Sequence, residues 1–131
     1  MSILLMDADK AKRYCSTLNN DPEFRLLARD ITLNLAIEVG SDRRLLRFRD
    51  GELKAIGPMV PMADPVDVYI KGGSDFWNKL LSQVPPPRYH NLHSAAHAGT
   101  CEIAGNVELY NAYYPALNRM IDVMRNMQGA V

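Results

Sequence analysis

From Ile31 the chain alternates, with Ile31, Leu33, Leu35, Ile37 and Val39 on one side and Thr32, Asn34, Ala36 and Glu38 on the other. A period of two predicts a half-buried β-strand. Further on, Asp50-Gly51 tolerates positive φ and predicts a two-residue hairpin turn. That turn sets the register: Phe48 faces Leu53 and Leu46 faces Ala55 on one side, Arg47 faces Lys54 and Arg49 faces Glu52 on the other. Val66, Val68 and Ile70 alternate with Asp67 and Tyr69 to predict a fourth strand. Thr100 to Ala104 read as a fifth, with Cys101 and Ile103 inward.

Elsewhere the period is helical. Asp7 or Asp9 caps a first helix reaching about Leu18, and Asn20 or Asp21 followed by Pro22 starts a second that turns Phe24, Leu27 and Ala28 inward. Gly72-Gly73 and a Ser74 cap open a helix bearing Phe76, Trp77, Leu80 and Leu81, which Pro85-Pro86-Pro87 ends. A short helix is expected from Tyr89 to Ala98 and a long one from Val107 to Met127, interrupted at Pro115. The apolar stripe of the long helix is Tyr110, Tyr113, Leu117, Met120, Ile121 and Met124. Three prolines make Gly57 to Pro65 a loop.

At 131 residues the chain forms one domain over 1–131, with N-terminal helices over 1–30 and sheet, covering helices and C-terminal helix over 31–127. Fifteen basic and fifteen acidic side chains cancel, so a nucleic-acid partner is not expected. No stretch approaches the roughly 20 apolar residues of a membrane span. The opening Ile3 to Met6 run meets Asp7 at once, so secretion is not expected and a cytoplasmic protein with reduced Cys15 and Cys101 is the default.

Three groups carry candidate chemistry. His90, His93 and His97, at spacings of three and four, would share one face of a helix. Such imidazoles can act as general acid or base, or ligate a transition metal, or simply form a solvated face. No recognised metal signature surrounds them, so no metal and no cofactor is expected, with His90, His93 and His97 as the set to watch. Arg43, Arg44, Arg47 and Arg49 read either as an anion site or as an ordinary solvated strand face. Met59, Met62, Met120, Met124 and Met127, with Tyr110, Tyr113, Tyr114 and Trp77, suit either the wall of an adaptable apolar pocket or a plain core. A phosphate loop, a nucleophile elbow and HExxH are all missing, so no enzyme class is legible.

From about Ile31 to Leu117 the chain resembles the sterol carrier protein type 2-like lipid-binding domains. The residues that carry the resemblance are Phe48 to Leu53 around the hairpin, Asp67 to Ile70 leading into Ser74 to Leu81, and Ala98 to Asn106 before the terminal helix. The resemblance implies an α+β domain whose five-stranded, mainly antiparallel sheet has helices packed on one face, enclosing a hydrophobic tunnel for acyl chains, acyl-CoA or sterols. It implies that Phe76, Trp77 and Leu80 border that cavity and that Ile103, Leu117 and Met120 close it. With Phe48, Tyr110 and Met124 these make the expected ligand-binding set. Histidines stand where the family places large apolar residues before the last strand, which implies a site more polar than a pure lipid carrier needs.

The leading expectation is a module that binds a hydrophobic small molecule, with a carrier or transfer role, transient membrane contact and a homodimer as accompanying expectations. One alternative is a small enzyme in the same pocket, with His93 or His97 as proton-transfer group and Tyr113 or Tyr114 donating to a carbonyl. Another is an accessory subunit whose apolar face is an interface.

Overall fold

The computed structural model describes residues 3–58 and 65–129. Met59 and Met62 therefore lie outside the described residues. A 3-10 turn at Leu4–Met6 leads into α1 (Ala8–Asn19), where the Asp7 carboxylate accepts the backbone N–H groups of Asp9 and Lys10 at 3.0 and 3.1 Å. Asp21 caps α2 (Pro22–Leu27) through the N–H of Phe24 at 2.8 Å, with Pro22 at the first position, where its missing donor is not needed. Phe24 and Ala28 point into the core, but Leu27 is 41% exposed, because α2 is too short to bury more than one side.

β1 (Leu33–Val39), β2 (Asp42–Arg49), β3 (Glu52–Gly57), β4 (Val68–Gly72) and β5 (Cys101–Gly105) form one five-stranded sheet in the order β3-β2-β1-β4-β5. Only β1 and β4 run parallel; the other pairs are antiparallel, giving the α+β, mainly antiparallel architecture expected. The remaining helices are α3 (Ser74–Leu80), α4 (Leu92–Ala95), α5 (Val107–Ala112) and α6 (Tyr114–Gly129), with a π-helical turn at Ala96–Thr100 joining α4 to β5. Among the described residues, no helix is long and apolar enough to cross a membrane.

The hairpin turns where expected, with Asp50 at φ 52° and Gly51 at φ 82°. Phe48 faces Leu53 and Arg49 faces Glu52, but the register then slips, so that Arg47 faces Ala55 and Leu46 faces Ile56. Lys54 is the extra residue of a bulge, which an alternating pattern alone does not reveal. The edge strand is closed at Leu53 by the Asn19 side chain, which donates to the Leu53 carbonyl at 2.9 Å and accepts its N–H at 2.8 Å.

β1 starts at Leu33, and all seven of its residues are buried where half-burial was expected. The reason is its central place, with strands on both sides. Leu33, Leu35 and Ile37 join Leu46, Phe48, Val68 and Ile70 beneath Tyr14, Leu18, Phe76, Trp77, Leu117 and Met120 in one core. On the opposite face Glu38 is buried but paired, with Arg43 at 2.7 Å and Lys71 at 3.8 Å. Lys71 continues to Glu102 at 3.8 Å, so signs alternate across four strands.

The helix boundaries differ in detail from the sequence expectation. Gly73, not Ser74, holds the cap position of α3. The long C-terminal helix is two helices that meet at Tyr113, and Pro115 falls in the first turn of α6, where it breaks no hydrogen bond. The expected helix from Tyr89 to Ala98 begins only at Leu92, with Asn91 accepting the Ser94 N–H at 2.8 Å.

Candidate functional site

β5 is the free edge of the sheet on the helix side. Its core-facing residues Cys101 and Ile103 pair with Gly72 and Ile70 of β4, but among the described residues no strand lies beyond them, and both stay half-buried. The π-helical turn enters β5 from one end. At the other, Gly105 (φ 93°) and the Asn106 cap, which accepts the Leu109 N–H at 3.1 Å, turn the chain into α5. These three elements wall a cleft of about 420 Å³ lined by His93, Ala96, His97, Cys101, Ile103, Val107, Tyr110 and Asn111.

The cleft holds no charged carboxylate or ammonium among its lining residues. Burial, with the Glu102 carboxylate adding to it, pushes the Cys101 thiol up to about 12. Burial likewise pushes the Tyr110 phenol up to about 12, with smaller contributions from Tyr114 and Cys101. Both groups are therefore protonated at neutral pH. The Tyr110 hydroxyl is buried and has no hydrogen-bond partner among the described residues. An unpaired buried hydroxyl costs about 1–3 kcal/mol, and Tyr110 is one of the residues that line the cleft.

The histidines divide. His93 on α4 and His97 in the π-helical turn bring their Nε2 atoms to 3.2 Å, with ring centroids 4.6 Å apart. His90 precedes the helix and stands apart, its carbonyl accepting from Arg125 at 3.4 Å. Tyr113 caps the end of α5; it is Tyr114 whose ring meets His93, at 5.8 Å. The Tyr114 hydroxyl accepts the His93 N–H at 3.0 Å and donates to Asn91 Oδ1 at 3.3 Å, so it is already engaged in holding α4 against α6.

Of the expected ligand-binding set, Ile103 and Tyr110 line this cleft. Phe48, Phe76, Trp77, Leu80, Leu117, Met120 and Met124 are fully buried in the core. Trp77 is fixed there by its indole N–H, which donates to the Glu38 carbonyl at 3.0 Å. Val107 and Asn111 were not singled out in the sequence, although Val107 lies three residues before Tyr110 and four before Asn111, one helical turn from each.

A second cleft, of about 580 Å³, lies between α1 and β3 and is lined by apolar residues such as Leu5, Met6 and Ile56 with Lys12, Arg44 and Lys54. Lys54 is held by Glu52 at 2.7 Å, and Arg44 donates to the carbonyls of Arg43 and Met6. Arg49 folds onto the Phe48 carbonyl at 2.6 Å, and Arg43 onto Glu38. The structure thus does not gather the arginine cluster into one anion site.

A scan against protein-family models finds no match, and neither does a search of curated protein sequences. Solved structures do match. The crystal structure of sterol carrier protein 2 aligns over 88% of this chain and 92% of its own, at 22% identity and a TM-score of 0.70. The solution structure of a conserved hypothetical protein from Thermus thermophilus, described as possibly a sterol carrier protein, covers 98% of this chain and 92% of its own at 20% identity and a TM-score of 0.75. A ubiquinone synthesis protein, UbiJ-SCP2, covers 92% of this chain and 96% of its own at 15% identity and a TM-score of 0.61. The chain therefore has the sterol carrier protein 2-like fold. Its packing of helices over a five-stranded mixed sheet is the arrangement these structures share.

Proposed function

We propose that this protein binds a hydrophobic small molecule carrying one hydrogen-bond acceptor, in the cleft between the π-helical turn, β5 and α5. The observation that carries the reading is Tyr110: a neutral donor with no partner among the described residues, in the wall of a mostly apolar cleft. The cleft volume of about 420 Å³ falls within the usual range of small-molecule sites. At about 25 cal/mol per Å², micromolar affinity asks for roughly 330 Å² of apolar surface removed from water, before ordering costs. A mid-sized acyl, steroid or quinone-like molecule offers that area. The fold supports the class of ligand, since its structural neighbours include a sterol carrier protein. In this reading Ile103 and Val107 contact the apolar body, Tyr110 donates to the ligand oxygen, and a carrier or transfer role follows from reversible burial.

The test is titration of delipidated protein with a fluorescent acyl probe, displaced by unlabelled fatty acids, sterols and quinones. Ile103→Trp fills the cleft from a half-buried position and is expected to weaken binding at least tenfold while the melting temperature holds. Tyr110→Phe is expected to weaken acceptor-bearing ligands several-fold and leave a pure hydrocarbon probe unaffected. Unchanged affinity in Ile103→Trp would remove this cleft as the site and turn attention to the one between α1 and β3.

A further inference from the structure

We infer that His93 and His97 form a preorganised chelate for a divalent transition metal ion such as Cu²⁺, Ni²⁺ or Zn²⁺. This goes beyond the hydrophobic-ligand reading and does not depend on it. Two imidazole nitrogens each about 2.0–2.1 Å from one metal, at angles between octahedral and tetrahedral, lie about 2.9–3.4 Å apart. The observed Nε2–Nε2 separation is 3.2 Å, inside that window. Both side chains are exposed, so binding requires little desolvation of the protein.

The geometry is held from outside the pair. The His93 backbone N–H donates to Tyr114 Oη on α6, and the His93 and Tyr114 rings meet edge to face with 75° between their planes. His97 follows four residues later, where the α-helical turn widens into the π-helical one. Turns of this type recur at functional sites. Without metal, two Nε2 atoms at this distance must share one proton between a donor and an acceptor ring. On metal binding the donor ring carries its proton on Nδ1 instead of Nε2, so that both neutral rings offer an Nε2 lone pair to the ion.

The site supplies two protein ligands. Among the described residues, no group of three or more His, Cys, Asp and Glu side chains is placed to hold a metal ion. The remaining coordination positions would therefore go to water or to a ligand in the cleft, whose wall the two rings share. With two nitrogens in place of a closed set, affinity should follow the Irving–Williams order, Cu²⁺ above Ni²⁺ and Zn²⁺.

The experiment uses the untagged full chain with no hydrophobic ligand present and titrates Cu²⁺ and then Zn²⁺, reading heat, proton release and, for Cu²⁺, the electron paramagnetic resonance spectrum. The expected result is one Cu²⁺ per chain, a spectrum with two equatorial imidazole nitrogens, and at least a tenfold loss of affinity in both His93→Ala and His97→Ala. His90→Ala should bind as the parent does. Equal uptake by the parent and the two variants, or no saturable uptake by the parent, would overturn the site. Binding of the acyl probe is measured separately with a chelator present, so either reading can fail alone.

Discussion

Tyr14 in the middle of α1 donates its hydroxyl to the main-chain carbonyl of Met120 in α6 at 2.7 Å, and both residues are wholly buried. The N-terminal helix is thus bonded to the helix that ends the fold. Burial drives the Tyr14 phenol well above its ordinary pKa, with smaller contributions from Cys15 and Asp21, so it stays a donor at every accessible pH. Replacing it with Phe keeps the ring packing and deletes one buried bond. Tyr14→Phe is expected to lose about 1 kcal/mol in urea unfolding at unchanged slope. Equal midpoints for the two proteins would show that the bond contributes nothing.

A second tie joins the same regions. Arg119 on α6 grips Asp21 with two bonds, Nε to Oδ2 at 2.9 Å and Nη2 to Oδ1 at 2.8 Å, while Asp21 also caps α2. The Arg119 guanidinium, with help from the Phe24 N–H, holds the Asp21 carboxyl below its ordinary 3.8. A carboxyl depressed in the folded state stabilises above its unfolded pKa, and that contribution is lost as pH falls through the folded value. Asp21→Asn keeps a capping side chain and removes the charge. The variant should be less stable by about 1 kcal/mol at neutral pH. The gap should close below about pH 4 in acid denaturation curves. A gap independent of pH would refute the charge account.

Gly105 turns β5 into α5 at φ 93°, and a Cβ there would sit 2.5 Å from the Asp67 carbonyl oxygen. That carbonyl also accepts the Asn106 N–H at 2.7 Å, so it cannot easily withdraw. Gly105→Ala is expected to cost more than about 1 kcal/mol and to loosen the cleft wall. Thermal unfolding together with acyl-probe affinity reads both effects, and a variant matching the parent in both would contradict the close approach.

Both thiols should be sluggish. Burial raises Cys15 above its ordinary value and raises Cys101 to about 12, where the thiolate fraction at pH 8 is on the order of one in ten thousand. Native protein should therefore react with a thiol reagent far more slowly than unfolded protein. A cleft ligand should slow Cys101 further while leaving Cys15 unchanged. Rapid labelling of Cys101 in the native state would contradict this picture of the cleft.

Local chemistry was legible wherever a single short segment decided the outcome. Asp7 and Asp21 cap helices because each side chain reaches N–H groups two or three residues away. Asp50-Gly51 turns because both residues tolerate positive φ. The site was legible only in part. The spacing of His93 and His97 was visible, but His90 dropped out because Asn91 starts the helix after it. Phe76, Trp77 and Leu117 are gathered with the sheet in one core, a placement that neighbours distant in the chain decide.

The five strands, their alternation and the hairpin turn follow from the chain's own pattern, since they depend on a period of two and on backbone preferences within a few residues. Which strand became the centre and which the open edge was settled only by packing in three dimensions. β1 is buried on both faces and Glu38 is neutralised by Arg43 and Lys71 only because β2 and β4 lie on either side of it. Cys101 and Ile103 face a cleft because β5 lies at the edge of the sheet formed by the described residues. Hydrophobicity marks a residue for burial, but whether it meets another side chain or an open cleft depends on neighbours distant in the chain.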